Sequence, residues 1–215
     1  RAGVSAPSNV LAATSGGTGN LSGSFRYQYT YVNSLSVEGN PNSAMTAYFS
    51  FASAGQASIT GFQGSLDASF GVNGMRVYRT AANGTAYKYV ASMPLTTTYL
   101  DNFPDSGLGA AVPSDNYPLP SGVAGVIHKD RAMYAVNVST DTANLNRVWY
   151  SNIAVPEIVG AAAFVRFGWD GEPVWTLAAG QDQLIVGKTK SIWELFMPSP
   201  GNPLSWYPKK VSSEY

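Results

Sequence analysis

Gly74-Met75-Arg76-Val77-Tyr78-Arg79-Thr80, followed by Tyr87-Lys88-Tyr89-Val90-Ala91 and then by Thr96-Thr97-Thr98-Tyr99-Leu100-Asp101, is the stretch that decides the fold class. Side chains of an extended chain alternate between two faces. Met75, Val77 and Arg79 therefore share one face, and Arg76, Tyr78 and Thr80 the other. Tyr87, Tyr89 and Ala91 alternate in the same way with Lys88 and Val90. Ala82-Asn83-Gly84-Thr85 lies between the two runs. Asn and Gly both tolerate positive φ, so this spacing predicts a type I′ hairpin turn. Pro94 has no amide hydrogen for a ladder and ends the second strand. Two strands and a third extended piece packed this closely point to an antiparallel, all-β protein.

Working outward, Phe25-Arg26-Tyr27-Gln28-Tyr29-Thr30-Tyr31-Val32 alternates aromatic with polar residues, which predicts a half-buried strand with Phe25, Tyr27, Tyr29 and Tyr31 on one face. Residues 9–13, 45–51 and 57–62 read as further strands, 15–20 as a polar loop and 33–42 as a long turn. Gly17-x-Gly19 precedes no helix and is not read as a phosphate loop. About seven strands within residues 1–112 is the spacing of a fibronectin type III or immunoglobulin-like antiparallel sandwich.

Residues 113–122 change character. Pro113, Pro118 and Pro120 stiffen the chain toward polyproline II, and the segment reads as a connector. Residues 123–215 then form two similar units. Each runs from an apolar strand through a polar turn to a second strand, and then to a Trp-containing strand. That last strand is Arg147-Val148-Trp149-Tyr150 in the first unit and Ser191-Ile192-Trp193-Glu194 in the second. The offset of about 45 residues is that of propeller blades. The expectation is a propeller-like β-domain, incomplete here, in a segment of a longer polypeptide that opens on Arg1. Lys129-Asp130 is expected to turn a hairpin over 123–136. Residues 154–164 are the one stretch read as a turn or two of helix.

Of the 215 residues, 45% are hydrophobic and only 12% charged, against about 25% charged in an ordinary globular domain. So few charges imply surface covered by partners. The 13 Tyr, 9 Phe and 5 Trp suit strands, and each buried aromatic contributes about 4–6 kcal/mol gross. A core can therefore form although cysteine is absent. That absence excludes disulfides, thiolate zinc sites and cysteine nucleophiles. Thirteen basic and thirteen acidic residues give zero net charge. This argues against a nucleic-acid reader, which needs a basic face, and leaves room for a near-neutral channel that DNA passes through. No apolar run reaches the ~18 residues of a membrane span, and no signal-peptide pattern opens the chain.

Individual residues give little chemistry. His128 is the sole histidine, without a Gly-x-Ser-x-Gly elbow, and reads as structural. Asp101 and Asp105, with Asn102, lack calcium-loop spacing and read as turn caps. Asp170 and Glu172 flank Gly171 between Trp169 and Trp175, where a glycosidase subsite competes with a tight hairpin bearing solvated acids; the hairpin is preferred. Asn20, Asn83 and Asn137 begin glycosylation-type triplets that read as chance matches. The candidates for interface or stacking contacts are Trp169, Trp175, Trp206, Tyr207, Arg76 and Arg79. The two arginines are also candidates for a DNA phosphate. No catalytic, cofactor-binding or metal-binding residue is assigned.

Taken in order, several pieces carry a family resemblance. They are Tyr27–Asn33 with Val37-Glu38-Gly39-Asn40-Pro41-Asn42, then 74–80, Thr97-Thr98-Tyr99-Leu100-Asp101, Asp105-Ser106-Gly107-Leu108-Gly109, Pro113-Ser114-Asp115-Asn116-Tyr117, Val126-Ile127-His128-Lys129-Asp130-Arg131 and Ser191-Ile192-Trp193. Together they resemble tailed-bacteriophage virion proteins of the nozzle or tail-tubular (stabilisation) type, which pair a fibronectin type III-like domain with a β-propeller. The resemblance implies a non-enzymatic structural protein of the virion tail with no cofactor. It also implies a ring of several copies, contacts with other tail proteins, and a passing contact with DNA during genome ejection. Leu35-Ser36 and the Ala-rich stretch 159–163 depart from the pattern. The alternative is a carbohydrate-binding β-module of a secreted or virion-associated glycan-active protein, with Trp169, Trp175 or Trp206 as a stacking platform. A propeller hydrolase with its site in other blades is a third reading.

Overall fold

The computed structural model describes residues 4–45, 47–63, 71–117, 122–136, 144–169 and 171–213. Apart from two single turns of 3-10 helix, Asp105–Gly107 and Pro203–Ser205, the regular structure of the described residues is strand, in four antiparallel sheets. The chain divides into two compact units, one spanning 4–117 and the other carrying the described residues from 122 onward.

The first unit holds β1 (Ala12–Phe25), β2 (Tyr27–Asn33), β3 (Phe49–Thr60), β4 (Val72–Thr80), β5 (Tyr87–Pro94) and β6 (Thr98–Asp101). Its sheets have the orders β1-β3-β6 and β2-β4-β5, and one core takes residues from both. Leu21 and Phe25 come from β1, Tyr27, Tyr29 and Tyr31 from β2, Ala57 and Ile59 from β3, and Met75 and Val77 from β4. The aromatic alternation of residues 25–31 thus lies inward as expected, with Tyr29 edge-on to Tyr31 at 5.6 Å and to Phe62 at 5.0 Å.

Six strands appear here among the described residues, where about seven were expected. Residues 45–51 and 57–62 do not form two strands; Phe49–Thr60 is one. The expected loop at 15–20 lies within β1, whose pairing with β3 slips repeatedly between Ser15 and Gly23. Backbones approach closely there: a Cβ on Gly19 would fall 2.5 Å from the Gly55 carbonyl oxygen. Glycine makes that contact at the cost of the alternation by which a strand is recognised.

The Asn83-Gly84 turn also differs from expectation. Thr80 pairs with Tyr87, which leaves a longer loop, and only Asn83 has positive φ, at 58°. Asn83 is held elsewhere: its N–H donates to the Ser24 carbonyl at 2.8 Å, and its Oδ1 accepts from the Ser24 N–H at 3.2 Å. The turn is stitched to the end of β1 instead of closing a two-residue hairpin. At the other end, Asn116 bonds to Asn40 and Glu38, so the unit runs to Tyr117, past the expected end at 112. Of the expected connector, Pro118, Leu119, Pro120 and Ser121 lie outside the described residues.

The second unit holds β7 (Gly122–His128), β8 (Arg131–Val136), β9 (Arg147–Asn152), β10 (Val155–Arg166), β11 (Val174–Ala179), β12 (Gln183–Lys188), β13 (Ser191–Phe196) and β14 (Tyr207–Ser213). They form two four-stranded sheets in the orders β10-β9-β8-β7 and β11-β12-β13-β14, each a meander of consecutive strands. Lys129 and Asp130 turn the β7–β8 hairpin with φ of 49° and 61°, the two positive values of a type I′ turn. Residues 154–164 are not helical; Ala154 is a turn residue, and the rest belong to β10, a bulged edge strand against β9. β-Branched Val155, Ile158, Val159 and Val165 favour extension, and the alanines between them hide it. One core joins the two sheets. Val126, Met133, Ala135, Val148, Tyr150 and Val165 of the first pack with Leu177, Leu184, Val186, Trp193 and Leu195 of the second.

Candidate interaction surfaces

The two arginines proposed for surface contacts carry internal ion pairs. Arg76 lies 2.5 Å from Glu38, whose carboxylate also accepts from the Tyr78 and Thr30 hydroxyls. Burial first, then the bond to Glu38, raises the Tyr78 phenol well above the tyrosine range. Arg79 is fully buried, with its guanidinium 4.7 Å from the centre of the Phe25 ring. It pairs with Asp105 at 2.7 Å and Asp101 at 3.5 Å, and donates to the Phe103 carbonyl. Asp101 accepts in addition from the buried Tyr27 hydroxyl at 2.8 Å and caps the Phe103 N–H. The two acids thus anchor the buried Arg79, while Arg76 is half-buried and paired with Glu38.

Trp206 is likewise internal, 8% exposed. Its ring meets Tyr150 at 4.8 Å, its Nε1–H donates to the Ser199 carbonyl, and Arg131 lies over it while donating to the Pro200 and Ser151 carbonyls. This clamp ties the long loop before β14 to β8 and β9. His128, at the end of β7, is buried. Burial, reinforced by Lys129 and opposed by Asp182, holds its pKa below the usual histidine value.

Trp169, Trp175 and Tyr207 remain at the surface. Trp169 is 87% exposed, with the Arg166 guanidinium 5.4 Å from its ring centre. Trp175 donates to Thr189 at 2.8 Å. Tyr207 stacks on Phe196, centroids 5.3 Å apart. Asp170 lies outside the described residues, but Glu172 is not the solvated acid expected. It accepts from the Lys190 N–H and from the Ser191 hydroxyl, and lies 3.3 Å from Lys188 Nζ, whose ammonium donates to the Phe167 carbonyl. Burial opposes its charge, but the Lys190 N–H, the Ser191 hydroxyl and the Lys188 ammonium outweigh it and lower its pKa.

The structure adds a surface that sequence reading missed. On the side of the β7–β10 sheet away from the core, Phe164 packs on Trp149 at 5.1 Å, and the guanidiniums of Arg147 and Arg166 lie 4.0 and 5.7 Å from its centre. Trp149 pairs with Phe164 across the ladder, and Arg147 with Arg166. The signal was present: Arg147 and Trp149, like Phe164 and Arg166, stand two apart and alternate with core valines Val148 and Val165. On the outward side of the β11–β14 sheet lie Ile185, Ile192, Glu194, Phe196 and Tyr207.

The chain matches no protein-family model, and comparison with curated proteins gives no significant match. Among the described residues no group of three or more His, Asp and Glu side chains is placed to hold a metal ion, and no helix is long and apolar enough to cross a membrane. The ring contacts at the surface are aromatic and cation–π pairs within single sheet faces and their flanking loops.

Proposed function

We propose that this chain is a structural, non-enzymatic component of a tailed-bacteriophage virion tail, of the nozzle or tail-tubular kind, working as a ring of copies that contacts neighbouring tail proteins and encloses the path of the DNA. The carrying observation is the second unit: two successive four-stranded meanders stacked over one core, after a unit in which two three-stranded sheets share another. On this reading the first unit is a fibronectin type III-like sandwich and the meanders are propeller-like blades. Outward aromatic faces and low charge support assembly with other copies.

Sedimentation velocity and mass photometry across a concentration series test the reading. A discrete closed oligomer is expected; a monomer persisting at the highest concentrations overturns it. The carbohydrate-binding alternative draws on Trp169 beside Arg166. Saturable binding on a glycan array, abolished by Trp169→Ala, would favour it instead.

A further inference from the structure

The two sheets of the second unit are equivalent in register. In the first, Met133 faces Tyr150, Tyr134 faces Trp149, Ala135 faces Val148 and Val126 faces Met133. In the second, Ile185 faces Glu194, Val186 faces Trp193, Gly187 faces Ile192 and Ala178 faces Ile185. Laying one ladder on the other equates Met133 with Ile185, Val148 with Ile192 and Trp149 with Trp193. Met133, Val148 and Trp193 belong to the shared core; Ile185, Ile192 and Trp149 do not. Opposite faces of equivalent sheets therefore meet. Such a contact is head-to-tail. It consumes one face of each kind and leaves one of each kind outward.

Both outward faces have the makings of an interface. The first carries Trp149, Phe164, Arg147 and Arg166, with Ile127 62% exposed. The second carries Glu194 and the Phe196–Tyr207 stack, with Ile192 39% exposed.

We propose that the outward face of the β7–β10 sheet in one copy packs on the outward face of the β11–β14 sheet in the next, repeating between copies the contact that joins the two sheets within one. The occupant is a second copy of this chain, because each outward face matches in register one side of the contact already formed within the unit. This rests on the ring reading and specifies its contact.

The test is a mixing experiment. Trp149→Glu blocks the first face, with exposed Ile127→Glu as a milder variant should the former unfold; Ile192→Glu blocks the second. Circular dichroism verifies folding. Each variant alone should self-associate at least about tenfold more weakly than the wild type, and an equimolar mixture should recover dimers and go no further. A variant that still dimerises alone means a two-fold contact, and variants that assemble like the wild type mean another surface; either overturns this inference and leaves the ring standing. A wild-type chain that stays monomeric overturns both and assigns the faces to a different protein.

Discussion

Glu172 shows how one side chain can be misread when its neighbours lie far along the chain. Beside Gly171 it looks like a turn acid, but the fold brings Lys188, Lys190 and Ser191 around it. Its pKa is lowered in the folded state, so its contribution is complete above the unfolded carboxylate range, near pH 4–5, and is lost as pH falls through the folded value. Glu172→Gln should cost about 2 kcal/mol at pH 7, since it removes a carboxylate 3.3 Å from the buried Lys188 ammonium. In urea titrations the deficit should shrink as pH falls through the folded value, where the wild-type carboxyl is neutralised too. A deficit that does not change with pH would mean a packing effect. Arg79 was hidden for the same reason. Its strand position was readable, but its acids Asp101 and Asp105 arrive from β6 and the turn after it, which no local pattern connects to β4.

At the scale of elements, a strand was legible wherever alternation survived, as in β2, β4, β5, β12 and β13. It was not where small residues carried bulges, as in β1 and β10. Turns divide differently. Lys129-Asp130 lacks the usual residues yet forms the tight turn, because β7 and β8 are register-locked by Val126 opposite Met133 and Ala124 opposite Ala135 in the core. Asn83-Gly84 has the usual residues yet does not, because Ser24 claims Asn83. The pairing of strands thus decides the turn, and non-glycine residues at 129 and 130 bear the strain of positive φ. Replacing Lys129-Asp130 with Asn-Gly should therefore stabilise the second unit by about 0.5–1.5 kcal/mol, read as a higher thermal midpoint without change in the β-sheet circular dichroism. A neutral or lower midpoint would show that these side chains contribute more than the turn costs.

For the whole molecule, the offset between the two Trp-containing strands was visible in the sequence because Trp149 and Trp193 both sit in the third strand of a meander. That the equivalent tryptophans lie on differently employed faces was not, since a ladder's register says nothing about which side another sheet will cover. Two units with separate cores should unfold separately. Arg79→Met strands Asp101, which is fully buried, and should cost the first unit about 3–5 kcal/mol. Leu195→Ala opens a cavity between the two sheets of the second unit, at about 2–5 kcal/mol. In units of this size either loss lowers a midpoint by roughly 10 °C or more. Calorimetry should therefore show each variant displacing one transition and leaving the other in place, and the double variant displacing both, each by its own single-variant shift. If either substitution moved the entire trace together, the two cores would be one cooperative body, and two separately folding units would be the wrong picture of how this chain is held together.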